Sequence, residues 1–147
     1  MKRICIIEDD DYKLRDLRSL VEEEFPNSVI EEATSYRTGS ELLKEHTWDL
    51  ILLDMRLPLY AGEGDQFYIF GGERMLRQLE RSGESANVVI VTQYTTFSEH
   101  LDEVDFASLV NRLREKCPTT FKGAIQYSVV RRDWREQLKE LISIIFR

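Results

Sequence analysis

The sequence predicts an α/β fold, a five-stranded doubly wound parallel sheet with helices on both faces. Three observations predict it. Short apolar runs suited to strands alternate along the chain with amphipathic stretches suited to helices. The run Leu50 to Leu53 (LILL) is apolar at every position, as expected of a strand covered on both sides. The 147 residues are 42% hydrophobic with only three prolines and seven glycines, which fits one compact domain over residues 1–147 and argues against disorder.

Each element follows in order. Arg3 to Ile7 reads as the first strand. Leu14, Leu17, Val21 and Phe25 then mark one face of a helix that must stop near Pro26. Val29 to Ala33 is a second strand, and Thr38 to Glu45, with Leu42 and Leu43, a short helix before the third strand at Leu50 to Leu53. An extended loop at about 59–72 (LYAGEGDQFYIFGG) carries Tyr60, Phe67, Tyr68 and Phe70, which suit a lid, a docking surface or a hydrophobic plug. Met75, Leu76 and Leu79 belong to a helix ending around Gly83. Asn87 to Thr92 (NVVIVT) is the most β-branched run and the best central strand. Leu101, Val104, Leu109 and Leu113 suggest an extended helical region at about 94–123, broken by Pro118. Ala124 to Val130 gives the fifth strand, and Trp134, Leu138, Leu141, Ile142 and Ile145 repeat at helical spacing to the C terminus.

Charge and composition exclude several roles. A net charge of −7 argues against nonspecific nucleic-acid binding. No apolar stretch reaches bilayer length, and the opening MKRICIIEDDD meets four acids where a signal peptide needs a longer apolar region, so a cytoplasmic protein without a membrane partner is expected. Cys5 and Cys117 stand apart and outside any CxxC pair, as reduced thiols do, and His46 and His100 offer zinc no ligand cluster.

In a sheet of this kind, ligands gather beyond the C-terminal strand ends, where the strand order reverses. Glu8, Asp9, Asp10 and Asp11 follow the first strand, Asp54 ends the third and Thr92 ends the fourth. A dinucleotide or P-loop protein would place glycines after its first strand to admit phosphates, and carboxylates stand there instead. Carboxylates from two strand ends repel one another, so either one stays protonated or a cation sits between them. An oxygen-only shell with room for water and phosphate suits magnesium. Taken singly, the acidic run could be the first turn of a helix, Asp54 a loop cap and Tyr127 a core aromatic. Their joint placement at one sheet edge is what those separate explanations do not predict.

IIEDD, LLDMRLP and VIVT, in this order within a five-unit βα chain, resemble the receiver domain of bacterial two-component response regulators. The resemblance covers essentially the whole chain, though only in outline after Thr92. It implies a flavodoxin-like fold of receiver type, with Glu8 and Asp9 as the acidic pair, Asp54 as phosphoacceptor, Thr92 as signalling hydroxyl and Tyr127 as switch aromatic. It implies that the acids, Asp54 and the backbone carbonyl of Arg56 hold Mg2+, and Pro58 matches the proline of the loop beyond. The partners implied are a histidine kinase or phosphotransfer protein and a downstream target protein; no enzymatic activity is expected beyond self-phosphorylation and dephosphorylation. The last helix ends the sequence, so a stand-alone regulator is expected.

One departure from the family bears on the site. The family places a lysine at the end of strand five, and this segment reads YSVVRRDW. Counting from Tyr127 puts Val130 at that place; counting back from the Trp134 helix, and strand alternation, favour Arg131 as a substitute. Two rivals remain beside the phosphorylatable regulator. One is a pseudo-receiver that binds proteins independently of phosphate. The other is a magnesium-dependent phosphohydrolase, which would want a second aspartate where Arg56 stands.

Overall fold

The computed structural model describes residues 1–61 and 66–147. In chain order the elements are β1 (Arg3–Ile7), α1 (Asp11–Glu24), β2 (Val29–Ala33), α2 (Tyr36–Glu45), β3 (Leu50–Leu53), β4 (Leu57–Pro58), β5 (Phe67–Tyr68), α3 (Gly71–Ser82), β6 (Val88–Thr92), β7 (Thr96–Glu99), β8 (Asp102–Asp105), α4 (Phe106–Lys116), β9 (Phe121–Gln126) and α5 (Asp133–Ile145). The main sheet has the order β2-β1-β3-β6-β9 with every pairing parallel. The expected doubly wound sheet is therefore present, with its order reversing between β1 and β3.

Period-two alternation divides the strand residues between two cores. Ile4, Ile6, Leu50, Leu52, Val89 and Val91 pack with Leu14, Leu17 and Leu20 of α1 and with Trp134 and Leu138 of α5. Cys5, Ile7, Ile51, Leu53, Val88 and Ile90 pack with Leu43 of α2, Met75 and Leu76 of α3, and Leu109 and Leu113 of α4. The central strands β3 and β6 read as apolar runs because both faces are covered. Pairing of Ile7 with Leu53, and of Leu53 with Ile90, brings the C-terminal ends of β1, β3 and β6 to one edge.

Local chemistry sets the helix ends. Asp10 caps α1 by accepting from the Lys13 N–H, and Ser35 and Thr38 form a capping box that starts α2 at Tyr36, two residues earlier than the apolar pattern alone suggests. Gly83 closes α3 in the left-handed conformation, φ 76°.

Two expectations are corrected. The extended helical region at about 94–123 is instead the antiparallel hairpin β7–β8 followed by α4, which Asp105 caps through the Ser108 N–H. Leu101 and Val104 lie three residues apart as on a helix, yet Val104 pairs with Phe97 across the hairpin and Leu101 is fully exposed beside His100. The fifth strand runs from Phe121 to Gln126, not from Ala124 to Val130. Val129 and Val130 are β-branched, which suggested strand, but they are exposed in a turn whose Ser128 hydroxyl accepts from the N–H groups of Val130 and Arg131. Within the expected loop at 59–72, β4 and β5 pair as a small antiparallel ladder, and residues 62–65 lie outside the described residues.

Candidate functional site

Three strand ends and the start of one helix build the site. Glu8 leaves β1 with its N–H donating to the Ala33 carbonyl, and Asp54 leaves β3 with its N–H donating to the Ile7 carbonyl. Both side chains are almost wholly buried, while Asp9 is half-buried. Glu8, Asp9 and Asp54 each offer a carboxylate oxygen, and these oxygens all lie within 4.8 Å of one another. Burial pushes the Glu8 carboxyl up to about 8, helped by the Asp54 charge and opposed by Lys13. Burial also raises Asp54, against Lys13 and the Met55 N–H, which donates to Asp54 Oδ1 at 2.8 Å; Asp9 is raised by burial as well.

The repulsion among these groups calls for a proton or a cation, and the protein supplies a cation from its own chain. Lys13, in the first turn of α1, is 1% exposed. Its Nζ lies 2.5 Å from Glu8 Oε1 and 3.4 Å from Asp54 Oδ1. It also donates to the Val91 carbonyl at 2.8 Å and to Gln93 Oε1 at 2.9 Å. The side chain of a helical residue leans toward the helix N terminus, which here means back toward the strand ends. Nothing in the motifs pointed to Lys13, though it falls on the same buried stripe of α1 as Leu14, Leu17, Leu20 and Val21.

The remaining sequence-predicted residues fall into two groups. Thr92, fully buried at the end of β6, accepts from the Tyr94 N–H through its hydroxyl, and its carbonyl accepts from the Tyr127 N–H. Tyr127 follows β9 directly, is buried against Trp134, and donates from its hydroxyl to Asp16 Oδ2 at 3.0 Å. Arg56 follows Asp54 by two residues; its guanidinium lies over the Phe67 ring and donates to the Tyr94 hydroxyl. These all gather at the one sheet edge. Arg131 does not join the carboxylates: it is exposed in the turn beyond β9, and no ion pair involving it is found among the described residues. Strand alternation cannot place it, because the strand has already ended at Gln126. Of the aromatics in the loop at 59–72, Tyr68 stacks edge to face on Tyr36 of α2 and Phe70 lies against Phe97, so both pack onto the body, with Tyr60 more exposed.

The oxygen donors present fit magnesium: three carboxylates bring an oxygen each to one end of the sheet, with water left to complete the shell. Among the described residues no helix is long and apolar enough to cross a membrane. Comparison with known proteins gives a consistent result. A family model for the response regulator receiver domain matches residues 4–107. The chain is 27% identical to an uncharacterized protein, y4jR, of Sinorhizobium fredii, over 93% of this chain and 94% of that one. It is 26% identical to the Detocs response regulatory protein DtcB of Enterobacter cloacae, over 96% and 98%. Its fold is similar to that of a CheY-like response regulator receiver domain from Methanospirillum hungatei, with a TM-score of 0.66, 20% identity, and 99% and 94% of the two chains covered.

Proposed function

The chain belongs to the response regulator receiver domain family, and from that premise we propose that it accepts a phosphoryl group on Asp54 from a histidine kinase or phosphotransfer protein and signals through contacts with a target protein. The observation that carries this reading is the convergence of Glu8, Asp9 and Asp54 at the strand ends beside Thr92. Glu8, Asp9, Asp54 and the Arg56 backbone carbonyl would hold Mg2+, which when bound offsets the charge that builds up as one anion approaches another.

Asp54 is the nucleophile. One carboxylate oxygen attacks the phosphorus in line, a new O–P bond forms, and the N–P bond of the donor phosphohistidine breaks with its electron pair passing to the imidazole. The Met55 N–H already bonded to Asp54 Oδ1 orients the carboxylate and leaves Oδ2 as the attacking atom. The Thr92 hydroxyl would donate to a phosphoryl oxygen, giving up its present contact with the Tyr94 N–H and drawing the following loop inward. Tyr127, joined to Thr92 through its backbone, responds to that movement. The protein is not an enzyme toward other substrates in this reading. A cytoplasmic location agrees with two buried free thiols, Cys5 and Cys117.

The phosphate-independent pseudo-receiver drew its support from the lack of a lysine on strand five, and a lysine does reach Asp54 from α1. The test is uptake of alkali- and hydroxylamine-labile label from radioactive acetyl phosphate. Wild type should take up label only with magnesium, and Asp54→Asn none; magnesium-independent label, or label in the variant, refutes the assignment.

A further inference from the structure

Lys13 is not required by the fold of α1. An ammonium in the first turn of a helix meets the positive end of the helix dipole, and a lysine out of contact with water must recover its lost hydration from other groups. Lys13 has two such groups just beyond β1 and β3, the Glu8 and Asp54 carboxylates, and two at the end of β6, the Val91 carbonyl and Gln93 Oε1. Its three N–H donors are matched by Glu8, Val91 and Gln93, so the Asp54 contact at 3.4 Å is electrostatic rather than a close hydrogen bond. The ammonium also lies 5.7 Å from the centre of the Tyr127 ring. A cleft of about 330 Å³ opens on this side of it, lined by Asp10, Lys13, Gln93, Tyr127 and Ser128.

We infer that Lys13 is the phosphoryl-contacting cation of this receiver, delivered by α1 in place of the lysine that strand five lacks. The inference rests on Asp54 being the phosphoacceptor. As Asp54 gains a phosphoryl group, three oxygens sharing two negative charges appear beside the ammonium, and a charge-assisted bond to one of them replaces a bond to a neutral oxygen. The neutral acceptors are Val91 and Gln93, flanking Thr92, so the exchange loosens the end of β6 as the Thr92 hydroxyl is drawn toward the phosphoryl group. Lys13 also contacts Glu8 Oε1, so in the unphosphorylated chain magnesium must displace the ammonium from that oxygen.

These two roles make removal of Lys13 act in opposite directions, which a purely structural ion pair would not. In Lys13→Met, magnesium affinity, read from amide shifts of Asp9 and Asp54 in an NMR titration, should tighten. The rate of phosphorylation by acetyl phosphate at saturating magnesium should fall by on the order of a hundredfold, as when one donor to a developing oxyanion is lost. Lys13→Gln, which keeps a donor for Val91 but no charge, should show the same split, and it serves where the methionine variant loses native amide dispersion. Arg131→Ala should match wild type in both measurements. If the rate at saturating magnesium is unchanged in the Lys13 variants, or rate and metal affinity fall together, the inference is overturned while the Asp54 assignment stands. A wild type that takes up no phosphoryl group overturns both.

Discussion

Gly72 touches the phosphoacceptor from behind. It is the second residue of α3, and its N–H donates to the Met55 carbonyl at 2.8 Å. A Cβ added there would lie 2.4 Å from the Asp54 carbonyl oxygen and 2.9 Å from Met55 Cα. Both are backbone atoms, so neither can swing aside. In an open helix Gly→Ala gains roughly 1 kcal/mol from propensity. Here overpacking, typically about 1–3 kcal/mol, should exceed that gain because α3 or the end of β3 must shift as a body. With two backbone clashes the overpacking should sit near the upper end of that range, so Gly72→Ala should lose roughly 2 kcal/mol net of the helix gain. For a chain of this size that is a fall of about 4–8 °C in Tm. Gly83→Ala is the control: its φ of 76° strains an alanine, yet nothing lies within 4 Å of the added carbon. It should lower Tm without touching the site. Thermal unfolding by circular dichroism, with magnesium titrated against each variant, separates the two. Weakened magnesium binding in Gly72→Ala alone is expected; a Gly72→Ala protein that melts no lower than wild type would refute the close approach.

Three further outcomes follow from the same geometry. Burial raises the Glu8 carboxyl from 4.5 to about 8, so the folded metal-free chain holds a proton that the unfolded chain releases. Its stability should therefore fall as pH rises from 4.5 to about 8, while magnesium affinity rises by up to about tenfold per pH unit over the upper part of that range and levels off above it; calorimetric titration at pH 6, 7 and 9 checks this, and a pH-independent affinity contradicts it. Partial burial pushes Glu80 up, but hydrogen bonds from the Thr120 and Thr119 hydroxyl and N–H groups outweigh it and hold the carboxyl below its ordinary value. Glu80→Ala should melt lower than wild type at pH 7 and converge with it as pH falls through the carboxyl's lowered value, where the carboxylate is lost. Tyr127→Phe removes one hydrogen bond to Asp16 and keeps the packing on Trp134, so urea unfolding should register a loss of about 1 kcal/mol.

The sheet was legible because β1, β3 and β6 are buried on both faces and carry little except apolar residues, while β2, a half-buried edge strand with Glu31 and Glu32, left a weaker signal. The site was legible wherever a residue stands at a strand's C-terminal end, as Glu8, Asp54 and Thr92 do. Legibility failed where side-chain spacing is ambiguous. Leu101 and Val104 satisfy a helical interval and belong to a hairpin, whose short, polar strands leave no buried alternation except Phe97 and Val104. Val129 and Val130 have strand propensity without strand partners, and that error carried Arg131 toward the site. Lys13 was overlooked because a lysine among acids reads as solvated surface. Its position one residue before Leu14 and four before Leu17 was the available signal, since a cation on the buried stripe of a helix needs anions waiting for it.

Signalling by this chain turns on which carboxylate receives phosphate, and peptide mass spectrometry after borohydride reduction reads that residue directly. An acyl phosphate on aspartate is reduced to homoserine, which marks its position in the chain. After incubation with acetyl phosphate and magnesium, homoserine should appear at position 54 and nowhere else. Homoserine at position 9 or 10 with Asp54 unmodified, or an unmodified chain after prolonged incubation, would contradict the account.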